Sequence, residues 1–165
     1  MYTYKKSERL CNKKLTENLF LKGSSISLDS FRLVHIEDEN QDVLLKSQII
    51  VPKRNIVKAV DRNFIKRQIR ESFRKNKHVI LDSLKRSSTS LNIAIVYQES
   101  SRKPSIVIEE EIKRLFNRLL NKLWRKFWQL FYLLCSTFIR ILFHLLFLLD
   151  VDLILHAHNI QKNRL

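Results

Sequence analysis

The sequence predicts an α+β protein, a two-layer α/β sandwich with its elements in the order α-β-β-α-β-α. Phe31-Arg32-Leu33-Val34-His35-Ile36 alternates apolar and polar side chains, the period of a half-buried strand. Val43–Val51 and Leu91–Tyr97 are apolar stretches rich in β-branched residues. The longer segments around them repeat their apolar residues at helical spacing.

The elements follow in order. Ser7–Leu21 reads as a helix with Leu10, Leu15, Leu19 and Phe20 roughly on one side, and Gly23 is placed to end it. Ser24–Ser30 reads as a polar connection to the first strand, and Glu37–Asp42 as an acidic, solvated turn after it. Val43–Val51 is the second strand. Pro52 closes it, because proline has no N–H for a central ladder. A helix starting between Ile56 and Arg62 runs to about Lys75 and continues over His78–Leu84, until Ser87-Ser88-Thr89-Ser90 breaks it. Leu91–Tyr97 is the third strand, and Ser100–Pro104 a loop. Ser105 is expected to cap the last helix, where Glu109, Glu110 and Glu111 suit the positive end of the macrodipole. The stripe of that helix is Ile108, Ile112, Leu115, Phe116, Leu119, Leu120 and Leu123. The second strand, the middle helix and Leu91–Tyr97 form a β-α-β crossover if the two strands are parallel.

The chain has 165 residues, with 31 Lys+Arg against 16 Asp+Glu and a formal net charge of +15. That balance favours an acidic polymer or an anionic membrane surface as partner. Residues 1–123 are the size of one small domain, and 124–165 stand apart as a hydrophobic extension. Cys11 and Cys135 have no metal-ligand spacing, and Met1–Leu21 has no apolar run of the signal-peptide kind, so a reducing cytoplasm is expected. Gly23 is the only glycine, which excludes a glycine-rich phosphate loop. His35, His78, His144, His156 and His158 form no metal set, and no nucleophile–base order stands out. No catalytic residue is expected on this chain.

The middle helix is the most informative segment. Asn63, Arg67, Arg70 and Arg74 stand at i, i+4, i+7 and i+11 and share one face, flanked by Arg62 and Lys66. Ile65, Ile69 and Phe73 step along another side, ready to dock on a core. Ordinary solvated faces interleave Glu with Lys, whereas here Glu71 alone interrupts the run. Arginine carries five donors in a planar fork that matches phosphate bidentately, so the row fits a polyanion.

Ala59-Val60-Asp61-Arg62-Asn63-Phe64-Ile65-Lys66-Arg67, with Arg70-Glu71 and Phe73-Arg74, closely resembles the signature of the bacterial ribonuclease P protein family. Glu8-Arg9-Leu10, Leu19-Phe20, Gly23, Phe31-Arg32-Leu33 and Val51-Pro52-Lys53-Arg54 match its context, so the resemblance covers roughly Lys6–Leu123. It implies a fold like domain 2 of ribosomal protein S5, with a left-handed crossover. It also implies a subunit bound to a catalytic RNA that, with bound Mg2+, removes the 5′ leader of precursor tRNA. The residues implied to bind RNA are Lys53, Arg54, Lys58, Arg62, Asn63, Lys66, Arg67, Arg70 and Arg74. Phe20 and Phe31 match the apolar side of a leader cleft, where aromatic stacking suits a single strand. Thr16 stands where the family often has a further aromatic, and Pro52 where serine is frequent. Two alternatives are a non-enzymatic RNA-binding protein of ribosomal type and a membrane-anchored basic protein.

The tail has two readings. Phe127–Leu149 is nearly all apolar, broken mainly by Arg140 and His144, and is long enough to span a bilayer of about 30 Å. A membrane partner is expected only if that segment is real. Alternatively the tail overlaps another reading frame. Codons shifted by one base permit a start at Leu123-Trp124 and Cys-Arg-Phe-Asn-Pro-Thr-Cys-Ser-Gln-Tyr across Asp150–Ile160. That string resembles the signature of the small bacterial membrane-protein insertion efficiency factor.

Overall fold

The computed structural model of the chain describes residues 3–38, 41, 43–125 and 128. Its helices are α1 (Lys13–Lys22), α2 (Ala59–Ser87) and α3 (105–125); its strands are β1 (Ser24–Leu28), β2 (Phe31–Glu37), β3 (Leu45–Ile50) and β4 (Leu91–Tyr97). The strands form one sheet in the order β1-β2-β4-β3. β1 pairs antiparallel with β2, β2 antiparallel with β4, and β4 parallel with β3. The parallel pairing makes β3-α2-β4 the expected β-α-β crossover. The chain divides into two compact units, Met1–Asn121 and Lys122–Leu165. In the second, residues 122–125 and 128 are helical; the apolar tail beyond them, with both readings of it, lies outside the described residues.

Strand alternation sends side chains to two faces of the sheet. On one face Val34 of β2 and Ala94 of β4 form a buried cluster with Leu10 and with Leu19 of α1, and Leu15, Ile36 and Ile50 pack against it. The other face carries Phe31, Leu33, Ile93, Ile95 and Tyr97, all fully buried. α2 and α3 cover it with Ile65, Ile69, Phe73, Ile80 and Leu84, and with Ile108, Ile112, Leu115, Phe116 and Leu119. Phe73 and Phe116 meet edge to face at 5.9 Å. Burying each such side chain is worth about 1.5–3 kcal/mol.

Three expectations need correction. Ser24–Ser30 is not a plain connection. Ser24–Leu28 forms β1, an edge strand that buries only Ile26, so its serines hide the strand pattern while the backbone ladder to β2 still forms. Asp29 makes the turn with φ +50°. The first helix is shorter than Ser7–Leu21. Lys6–Glu8 is a 3-10 turn, Leu10 N–H donates to Ser47 O beside β3 (3.0 Å), and α1 starts only at Lys13. Asn12 sets that start, its Oδ1 accepting from Lys14 N–H at 2.9 Å. Ser105 lies inside α3 instead of capping it, and Pro104 O accepts from Ile108 N–H. Of the three glutamates there, Glu111 is buried and held by Lys103 at 3.0 Å.

Gly23 ends α1 as expected, but its φ is −71°, so a left-handed turn is not the reason. A Cβ there would meet Leu19 O at 2.2 Å and Val34 Cγ1 at 2.9 Å. Glycine is required because α1 closes directly onto β2.

Candidate nucleic-acid interface

α2 is pinned by its apolar side, which leaves Asn63, Arg67 and Arg70 exposed on the outside, with Lys66 half-buried beside them. Among the described residues no carboxylate pairs with Lys66, Arg67 or Arg70. Their donors are therefore available to a phosphate without first breaking an internal ion pair.

The two ends of the expected row differ. Arg74 is gripped by Glu71, with Nε–Oε2 at 2.8 Å and Nη2–Oε1 at 2.7 Å. This hydrogen-bonded pairing lowers the Glu71 pKa and raises that of Arg74. Glu71 thus occupies the guanidinium that extends the row. Arg62 also departs from the expected role: its Nη1 donates back to Ile56 O at 3.1 Å and Val57 O at 2.5 Å. Its Nη1 faces the chain entering α2, where it clamps the backbone. Beyond it, Arg102 lies over the Phe64 ring at 3.5 Å and reaches Asp61 at 3.7 Å, tying the loop after β4 to the first turns of α2.

The second feature is a cleft of about 390 Å3 between α1, the ends of β2 and β4, and the connection 51–58. Phe20, Arg32, Arg54 and Gln98 line it together with Pro52, Asn55, Val96 and Tyr97. Phe20 is 44% exposed and lines the cleft. Phe31 does not. It is 0% exposed and packs edge to face on Tyr97 at 5.3 Å, so no base can stack on it. The reason is alternation: Phe31 points toward α2 and α3, and its neighbour Arg32 points to the cleft. Arg32, Asn55 and Gln98 were missed. The period of β2 already placed Arg32 opposite Phe31; nothing in the local sequence placed Asn55 or Gln98.

Lys53, Arg54 and Lys58 lie exposed along the connection, and Arg54 reaches the cleft. The turn there is built on Pro52, whose carbonyl accepts from Asn55 and Ile56 N–H. An exposed aromatic side chain in one cleft with two arginines suits a flexible strand of bases and phosphates.

The chain is similar to known proteins in sequence and in structure. Residues 4–123 match the sequence profile of the family described as Ribonuclease P. The ribonuclease P protein component of Porphyromonas gingivalis strain W83 is 32% identical over 92 residues, which cover 55% of this chain and 67% of that protein. That of Legionella pneumophila strain Corby is 36% identical over 74 residues, 45% of this chain and 63% of its own length. The RNase P protein of Thermotoga maritima superposes with a TM-score of 0.55 at 26% identity, covering 67% of this chain and 96% of that one. A Staphylococcus aureus RNase P protein shares the fold with a TM-score of 0.54 at 20% identity, over 68% of this chain and 94% of that one. The chain belongs to the ribonuclease P protein family.

Proposed function

We propose that this ribonuclease P protein subunit holds a catalytic RNA with the outer face of α2 and the 5′ leader of precursor tRNA in the cleft beside Phe20. The carrying observation is the exposed Asn63–Arg67–Arg70 row, which has no carboxylate partner among the described residues. Phosphate contacts from such a row supply affinity and make it salt-dependent. The cleft adds stacking and two arginines for a strand that the mature tRNA lacks. Binding both RNAs at once orients the leader on the catalytic RNA.

In this reading the endonucleolytic chemistry belongs to the RNA and its Mg2+, and the setting is the cytoplasm. Among the described residues no group of three His, Cys, Asp or Glu side chains is placed to hold a metal ion. No helix among the described residues is long and apolar enough to cross a membrane.

The test is reconstitution. The full chain is expected to restore precursor-tRNA cleavage by a bacterial ribonuclease P RNA at low magnesium. Phe20→Ala is expected to weaken binding of precursor more than of mature tRNA, by about 1–3 kcal/mol for one stacked base. No stimulation by folded, RNA-binding protein sinks the function. Equal losses for both tRNAs sink the cleft.

A further inference from the structure

The connection 51–58 brings Arg54 to the cleft, yet Arg54 has no side-chain hydrogen bond or ion pair of its own among the described residues. Its place depends on the backbone that carries it. That backbone is clamped from two sides. Asn55 Nδ2 donates to Gln98 O at 2.7 Å and Tyr97 O at 3.3 Å, fastening the connection to the end of β4. Arg62 Nη1 donates to the carbonyls of Ile56 and Val57, fastening it to the first turn of α2. Among the described residues no other side chain does this second job, and Lys58, at the N-cap of α2, makes no side-chain capping bond. Ile56, 5% exposed, is the apolar peg between the clamps. Through Nη1 the guanidinium is turned back along the chain, toward the carbonyls of Ile56 and Val57.

We infer that Asn55 and Arg62 are positioning residues, locking the connection so that Arg54 stands at the cleft wall, and that Arg62 is not itself a phosphate contact. This rests on the RNA-binding reading above only for its functional consequence. The clamp itself is a property of the free protein.

The experiment uses the full chain with Arg62→Gln, Arg62→Lys, Asn55→Asp, Arg54→Ala and the combined variants. In free protein, amide hydrogen exchange over residues 53–57 is expected to speed up in Asn55→Asp and in Arg62→Gln, whose shorter amide falls short of the carbonyls, and less in Arg62→Lys, whose longer side chain keeps a donor within reach. Unchanged exchange overturns the inference whatever the RNA does. With a bacterial ribonuclease P RNA, both variants are expected to lose about tenfold of the preference for precursor over mature tRNA, the worth of one or two hydrogen bonds. Adding Arg54→Ala to either is expected to cost nothing further, because all act on one group. The salt dependence of binding to the catalytic RNA alone stays unchanged. A slope lowered by roughly 0.7–0.9 in Arg62→Gln, with leader preference intact, makes Arg62 a phosphate contact and overturns the inference. Losses that multiply with Arg54→Ala do the same. Should Arg62→Gln fail to fold, Asn55→Asp and Arg62→Lys carry each comparison. Arg67→Ala separates the two failures: if it too leaves affinity and slope untouched, the RNA-binding reading falls while the exchange result still decides the clamp.

Discussion

From Ala59 to Arg70, α2 presents Lys66, Arg67 and Arg70 with no carboxylate partner among the described residues. From Glu71 to Lys85 the same helix pairs its cations one after another: Arg74 with Glu71 at 2.7 Å, Lys75 with Glu109 at 3.1 Å, Lys77 with Glu8 at 2.5 Å and Lys85 with Asp82 at 3.8 Å. α3 resembles the second half, with Lys113 on Glu109 and Arg114 on Asp29. Both halves of α2 are rich in positive charge, so charge density does not tell them apart. What sets the first half apart is that its exposed cations have no carboxylate partner among the described residues. An unpaired exposed guanidinium keeps its donors for an outside phosphate. A paired one must give up a contact first. The second half spends its charge on the fold, joining α2 to the N-terminal segment and to α3.

The largest expected effect breaks the structural half. Lys77 is 5% exposed, and its ammonium is satisfied by Glu8 Oε1 and Thr3 O. Lys77→Ala leaves a mostly buried Glu8 carboxylate unpaired and frees the strand-edge segment that Tyr4 also holds through Phe73 and Ser47. The expected loss is about 3–5 kcal/mol in urea unfolding. Once folded, the variant should keep the salt slope of wild-type RNA binding. A loss within about 0.5 kcal/mol would erase the distinction between the halves.

The next test addresses the open half. Arg67→Ala and Arg70→Ala should each lower the salt slope of catalytic-RNA binding by roughly 0.7–0.9. Their stability should stay within about 0.5 kcal/mol of wild type, because neither side chain is buried or paired. Glu71→Ala should not lower the slope. It releases Arg74 and removes a negative charge beside the row, so affinity for the RNA should rise. Equal losses from all three would count against a defined face.

The sequence placed the three long strands and α2 because their patterns are long and strongly periodic. Ile65, Ile69 and Phe73 are buried as that period required, and Leu91–Tyr97 coincides with β4. β1 escaped because an edge strand needs only one buried residue, Ile26, and serines mask it. Phe31 went to the wrong side because a family correspondence outweighed the two-residue alternation that the sequence itself displays. Asn55 and Glu111 escaped for another reason. Their roles depend on carbonyls and ammonium groups far along the chain, at Gln98 for Asn55 and Ser30 with Lys103 for the Glu111 network. No local pattern encodes such partners.

The smallest expected effect concerns the bridge between the paired half of α2 and α3. Glu109 accepts from Lys113 at 3.1 Å and from Lys75 at 3.1 Å. Hydrogen bonding to Lys113 first, then to Lys75, lowers its pKa from the ordinary 4.5. A carboxylate with a depressed folded-state pKa binds fewer protons in the folded than in the unfolded chain as pH falls through that range. Its contribution is therefore present above about 4.5 and disappears as the pH drops through the lowered folded value. Glu109→Gln removes that ionisation. The variant should be less stable than wild type near neutral pH by about 0.2–1 kcal/mol, the worth of largely exposed pairs. The gap should close in acid, where wild-type Glu109 is protonated as well. Taking the difference between the two proteins cancels the other carboxylates. Thermal unfolding of both from about pH 7 to about pH 3 reads it directly. A gap that stays constant across that range means that Lys75 and Lys113 stabilise nothing through this carboxylate, and the pairing in the second half of α2 would then be geometry without energy at this position.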